Sequence, residues 1–186
     1  MISKRREPKG KKINPHFWVF CEGKTEEAYI RYLRSVYRLP IEIIPKVSGS
    51  SISSSYITRC KQGKPKHKKD RDFLVYDADV PEVMDRLKRI TSAILIASNP
   101  AIELWFLLHY KNQAIFISEN ECIEQLSKRN RNTYKKGQID GMLQEKLREK
   151  YKEACARAKY LTLFDNPSTN FHIFIEILED VKKNKL

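Results

Sequence analysis

The chain has 186 residues, and its 36 lysines and arginines outnumber 23 acids to give a formal charge of +13. A length of this order builds a core without disulfides or a structural metal, and Cys21, Cys60, Cys122 and Cys155 show neither a C-x-x-C pair nor zinc-finger spacing. No apolar run nears the roughly 20 residues that span a bilayer, and Pro8, Gly10 and lysines interrupt any leader-like segment, so a cytoplasmic protein with reduced thiols and no membrane partner is expected.

Residues 1–15 read as a flexible basic arm, and 16–186 as one α/β domain. His16–Cys21 is an aromatic and β-branched run between Pro15 and Gly23, the pattern of a buried strand. A helix follows, with Thr25 as cap and Glu26 and Glu27 in its first turn. Tyr29, Ile30, Leu33, Val36 and Tyr37 form its apolar stripe, and Pro40 stops it. Residues 41–47 read as a second strand, weakened or placed at an edge by Pro45. A serine-rich loop over 48–55 and a basic loop over Lys61–Lys69 flank a short helical stretch.

Phe73–Tyr76 is a buried strand that ends in Asp77 and Asp79, and Pro81 opens the next helix. Ala93–Ala97 is a third strand, with Asn99 and Pro100 as N-cap and first residue of the helix that carries Trp105 and His109. The alternation of strand and helix predicts a largely parallel sheet flanked by helices. From about residue 119 the pattern is helical: 119–127, one long charged helix over 138–158, a D-N-P-S-T-N loop over 165–170, and a last amphipathic helix from Phe171.

In such a sheet, function sits beyond the carboxyl ends of the strands, at a switch in strand order. The first strand delivers Glu22 there, and the later one delivers Asp77 and Asp79. Residues two apart in an extended segment point the same way, so Asp77 and Asp79 are expected to face one ion, and Glu22 approaches the same point if the two strands are neighbours. Three carboxylates at one spot repel each other, and a hard cation such as Mg²⁺ relieves the repulsion. The plainer alternative is that these acids form turns and pair with lysines. Gly23-Lys24-Thr25 is no P-loop, because Trp18 stands where that motif needs glycine; Lys24 beside a helix N-terminus still suits a phosphate.

Further phosphate contacts are assigned to Lys64, Lys66, Lys68 and Lys69 and to Arg129, Arg131, Lys135 and Lys136, with Tyr134 placed to stack on a base. His109 reads as a core or capping residue, and no serine has the context of a nucleophile.

C-E-G-K-T-E-E at 21–27, Y-D-A-D at 76–79, S-N-P-A-I-E-L-W-F-L-L-H-Y at 98–110 and N-P-S-T-N at 166–170 together resemble the RloB family of phage-defence proteins. That family is similar to the Toprim domain of topoisomerases, primases and OLD-type nucleases. The resemblance implies a Toprim-like α/β core that binds Mg²⁺ or Mn²⁺ through Glu22, Asp77 and Asp79, with Glu26 and Glu103 as further acids of the site. It implies a nuclease acting on DNA or RNA, tRNA among the candidates, and an RloA-type ATPase of the AAA/ABC class as partner. Val80 stands where many relatives carry another acid. A catalytically inactive subunit that binds nucleic acid or the ATPase is the alternative, and a homo-oligomer is left open.

Overall fold

The computed structural model describes residues 14–183; most of the expected basic arm lies outside them. The elements in chain order are β1 (His16–Cys21), α1 (Lys24–Tyr37), β2 (Glu42–Val47), α2 (Ser54–Lys61), β3 (Arg71–Asp77), α3 (Pro81–Lys88), β4 (Ile94–Asn99), α4 (Ile102–Leu107), α5 (Glu119–Asn130), α6 (Gly141–Glu149), α7 (Tyr151–Lys159), β5 (Ser168–Thr169) and α8 (His172–Lys182). The sheet order is β2-β1-β3-β4-β5, parallel except for β5. This is the α/β sheet the strand runs predicted.

Both faces of the sheet are covered, which is why its strands are apolar at successive positions. Phe17, Val19, Cys21, Phe73, Val75 and Ile96 point into a core completed by α1, α4, α5, α6, α7 and α8. Trp18, Phe20, Leu74, Tyr76 and Ala97 point the other way, against α2 and α3. Phe73 meets Phe174 edge-on at 4.8 Å and Phe17 at 5.4 Å, so aromatic packing ties α8 to the middle of the sheet.

Four local expectations need correction. The cap of α1 is Gly23, and Thr25 lies inside the helix, where its Oγ1 accepts the Gly137 N–H at 2.9 Å. Asn99 ends β4 instead of capping α4: it pairs with Ser168 and donates to the Phe164 carbonyl, so the helix begins at Ile102 behind Ala101. The charged helix over 138–158 is two, α6 and α7, broken at Lys150 with φ −111° and ψ 15°. The D-N-P-S-T-N loop also contains β5, a two-residue strand too short to show periodicity.

Among the described residues, no helix is long and apolar enough to cross a membrane.

Candidate functional site: an acidic cluster at the strand switch

The chain leaves β1 for β2 on one side and returns to β3 on the other, so the β1/β3 boundary is the switch in strand order. Glu22 and Asp77 sit at the carboxyl ends of these two neighbours. The Asp77 N–H donates to Glu22 Oε2 at 2.9 Å, which locks the first carboxylate over the second strand. Asp77 Oδ1 in turn accepts the Ile102 N–H at 3.0 Å, at the start of α4.

Two helices bring further acids. Glu26, in the first turn of α1, reaches back to accept the Gly23 N–H at 2.9 Å. A Cβ at position 23 would stand 3.2 Å from that carboxylate oxygen, so glycine leaves room for this closure. Glu103, in the first turn of α4, is 1% exposed and accepts the Tyr134 hydroxyl at 2.8 Å. Each of the four acids thus has one oxygen anchored by a protein donor.

Burial pushes the Asp77 carboxyl up to about 9, and the charges of Glu26, Glu22 and Glu103 add to it. Burial also raises Glu22, opposed by the Asp77 N–H and reinforced by Asp79. Glu26 rises by burial and by the charges of Glu103 and Glu22, and Glu103 rises by burial against its bond from Tyr134. The four carboxylates are therefore close enough to repel. Among the described residues, however, no three His, Cys, Asp or Glu side chains form a ready-made metal cage.

Asp79 does not extend the strand. The pleat ends at Asp77, so the rule that residues two apart share a face stops there, and Asp79 lies exposed in the following bend. Its charge still reaches Glu22.

The predicted basic residues divide into two groups. Lys24 is exposed at the start of α1 and pairs with Glu27 at 3.2 Å. Lys136 pairs with Glu119, and its ammonium lowers the Glu103 and Glu22 carboxyls. Lys135 is exposed beside it, and Arg129 and Arg131 are exposed at the C-terminal turn of α5. Lys64, Lys66, Lys68 and Lys69 precede β3, at the opposite end of the sheet. A seven-residue strand separates them from Asp77, about 20 Å. That loop is held by Asp70, which accepts the His16 and His67 N–H groups at 2.7 and 2.9 Å, and it borders a cavity of ≈ 830 Å³ with Trp18, Ile57 and Asp72.

Tyr134 is no stacking residue: it is 7% exposed, and its hydroxyl is spent on Glu103. Nothing in the sequence pairs two residues 31 positions apart in this way. His109 is a core residue, held neutral with its pKa pushed down to about 4 by burial.

The fold and its acids define a doubly wound α/β protein with a carboxylate cluster at the strand switch. A family model described as RloB-like protein matches residues 17–178, and the chain belongs to that family. Comparison with curated proteins and with solved structures finds no significant match.

Proposed function

We propose that this protein is a metal-dependent nuclease that hydrolyses phosphodiesters of DNA or RNA. The observation that carries the reading is the set of four anchored, mutually repelling carboxylates at the strand switch. Hard carboxylate oxygens suit Mg²⁺ or Mn²⁺, and a cation would offset the burial and the like charge that together hold Asp77 protonated. Glu22 and Asp77 would hold it, with Asp79 entering from the exposed bend. Bound there, the ion would activate water and neutralise charge developing on the phosphoryl group. Glu26 and Glu103 orient the surrounding groups, and Lys24, Lys135 and Lys136 offer positive charge to the phosphate backbone. The lysines over 64–69 grip a more distant part of the same polymer.

The test is cleavage of labelled DNA and RNA by the purified chain with Mg²⁺ or Mn²⁺. Asp77→Asn is expected to abolish it; undiminished cutting by that variant would refute the site.

One observation favours a second reading: among the described residues, no three acids already form a cage. An inactive subunit that only binds nucleic acid or an ATPase would bind equally well in chelator and after Asp77→Asn. The family resemblance extends the first reading to phage defence with an RloA-type ATPase as partner. Co-purification of the two would support that extension.

A further inference from the structure

We propose that the cavity beneath the basic loop over 62–67 is a binding site for a nucleoside phosphate. The site goes beyond the nuclease reading and does not depend on it. It opens at the Asp72 end of β3, whereas the acids stand at the Asp77 end, about 17 Å away along the strand.

A single continuous wall forms the site. Ser54, Ile57, Thr58 and Lys61 recur at helical spacing, so one face of α2 lines the cavity. Trp18 from β1 and Pro65 from the loop join Ile57 as its apolar part. The volume of ≈ 830 Å³ is that of a small-molecule site.

The rim is fixed before any ligand arrives. Asp70 accepts the His16 and His67 N–H groups at 2.7 and 2.9 Å, and its own N–H donates to the His67 carbonyl at 2.9 Å. The His67 ring accepts the Lys69 N–H at 3.1 Å. At the other end the Lys64 N–H donates to the Lys61 carbonyl at 3.2 Å, across Gly63 at φ 76°. A rim already ordered loses little freedom on binding.

The chemistry of the lining selects the occupant. Among the described residues, its acids are Asp70 and Asp72, and both are committed. Asp72 accepts the Lys61 ammonium through its two oxygens at 2.8 and 2.7 Å, and Asp70 holds the rim. Lys64 and Lys66 line the same space, and their charge is left for a ligand. An inorganic anion would answer these lysines but leave Trp18, Ile57 and Pro65 against water. An apolar molecule would do the reverse. A nucleoside phosphate answers both, with its phosphate at the lysines and its rings on the apolar wall. The Gln62 amide and the Ser92 hydroxyl supply donors and acceptors for the edge of a base.

The experiment is isothermal titration calorimetry of the full chain in chelator, which keeps cation-dependent binding at the acids out of the measurement. The probes are the four ribonucleoside monophosphates, their nucleosides and inorganic phosphate. At least one monophosphate should bind about tenfold or more tightly than its nucleoside or phosphate alone. Replacing Lys64 and Lys66 with alanine should weaken it about tenfold or more, whereas replacing Lys68 and Lys69, in the same loop but outside the lining, should not. Thr58→Trp, on an exposed turn of α2, fills the cavity without changing charge and should abolish binding. Equal losses in the two lysine pairs would reveal diffuse attraction to a basic loop and overturn the site. Binding undiminished by Thr58→Trp, or no monophosphate binding at all, would also overturn it. Competition by a strand of about ten nucleotides with a 5′-phosphate, but not with a 5′-hydroxyl, would support the site and make its source a strand end. Monophosphate binding without such competition would support it with a free nucleotide as source. Loss of cleavage in Asp77→Asn bears on the acids alone, so the two readings fail separately.

Discussion

Asp77→Asn should make the protein more stable while removing its proposed activity, and the gain should grow with pH. The folded-state carboxyl lies at about 9 against an ordinary 3.8. The folded state therefore binds more protons than the unfolded state throughout that window. Stability is fully present below the lower value and is lost as pH rises towards the upper one. One proton corresponds to about 1.4 kcal/mol per pH unit, so the wild type should lose about 2.7 kcal/mol between about pH 6 and about pH 8. For a chain of this size that is a fall in Tm of roughly 5–11 °C. Asparagine keeps an oxygen for the Ile102 N–H and offers its amide hydrogens to the surrounding carboxylates. The variant should match the wild type only at about pH 4 and exceed it by a margin that already exists at about pH 6 and is larger at about pH 8, with a residual slope from Glu22, Glu26 and Glu103. Urea unfolding in chelator across this range is the assay. Parallel pH profiles for the two proteins would refute the argument that buried like charge is held at Asp77.

Added Mg²⁺ or Mn²⁺ should raise the wild-type Tm more at about pH 8 than at about pH 6, because the ion competes with protons for the same oxygens; thermal scans with no shift for either ion would count against the metal. Tyr134→Phe removes the hydroxyl from buried Glu103, which should cost about 1.5–3 kcal/mol in urea unfolding once Glu103 is ionised, and less at low pH. Replacing Lys64, Lys66, Lys68 and Lys69 with alanine should flatten the salt dependence of duplex binding by about 0.9 in logarithmic slope for each lost phosphate contact. Because that loop lies a strand's length from Asp77, the rate of cleavage at saturating substrate should not change; a lower rate would place these lysines at the reaction.

The sheet was legible because each parallel strand is a short apolar run bounded by turn residues, such as His16–Cys21 between Pro15 and Gly23. Strand ends gave Glu22 and Asp77 by the same route. The reading failed where geometry depends on partners distant in sequence. β5 has two residues, and Asn170 extends its role with a side chain: its amide accepts the Ala97 N–H at 2.7 Å and donates to the Leu95 carbonyl at 2.9 Å, as a strand backbone would. Tyr134 stands in a basic segment that looks solvent-facing, yet it is drawn inward by Glu103. Period-two reasoning placed Asp79 only by assuming that β3 continues past Asp77. Glu26 and Glu103 were visible through family likeness, since an acid in a first helical turn is ordinarily a dipole partner.

Why these acids stay buried together follows from what carries them. Every residue of α4 is buried, and Glu103 sits among Ile102, Leu104, Trp105, Phe106 and Leu107. Trp105 Nε1 donates to the Tyr29 hydroxyl at 2.9 Å, which fixes α4 against α1, the helix that carries Glu26. Phe171 stacks on the same tryptophan at 5.4 Å. Turning Glu103 outward would require rotating a helix that is apolar on all sides, which would expose that surface to water at about 25 cal/mol per Å². The core, not pairing among the carboxylates, therefore offsets the cost of their repulsion. A backbone stabilised in this way stays in place whether the carboxylates are protonated or ionised, so the proposed cation would have to draw carboxylate side chains together but would not have to move the helices that carry them.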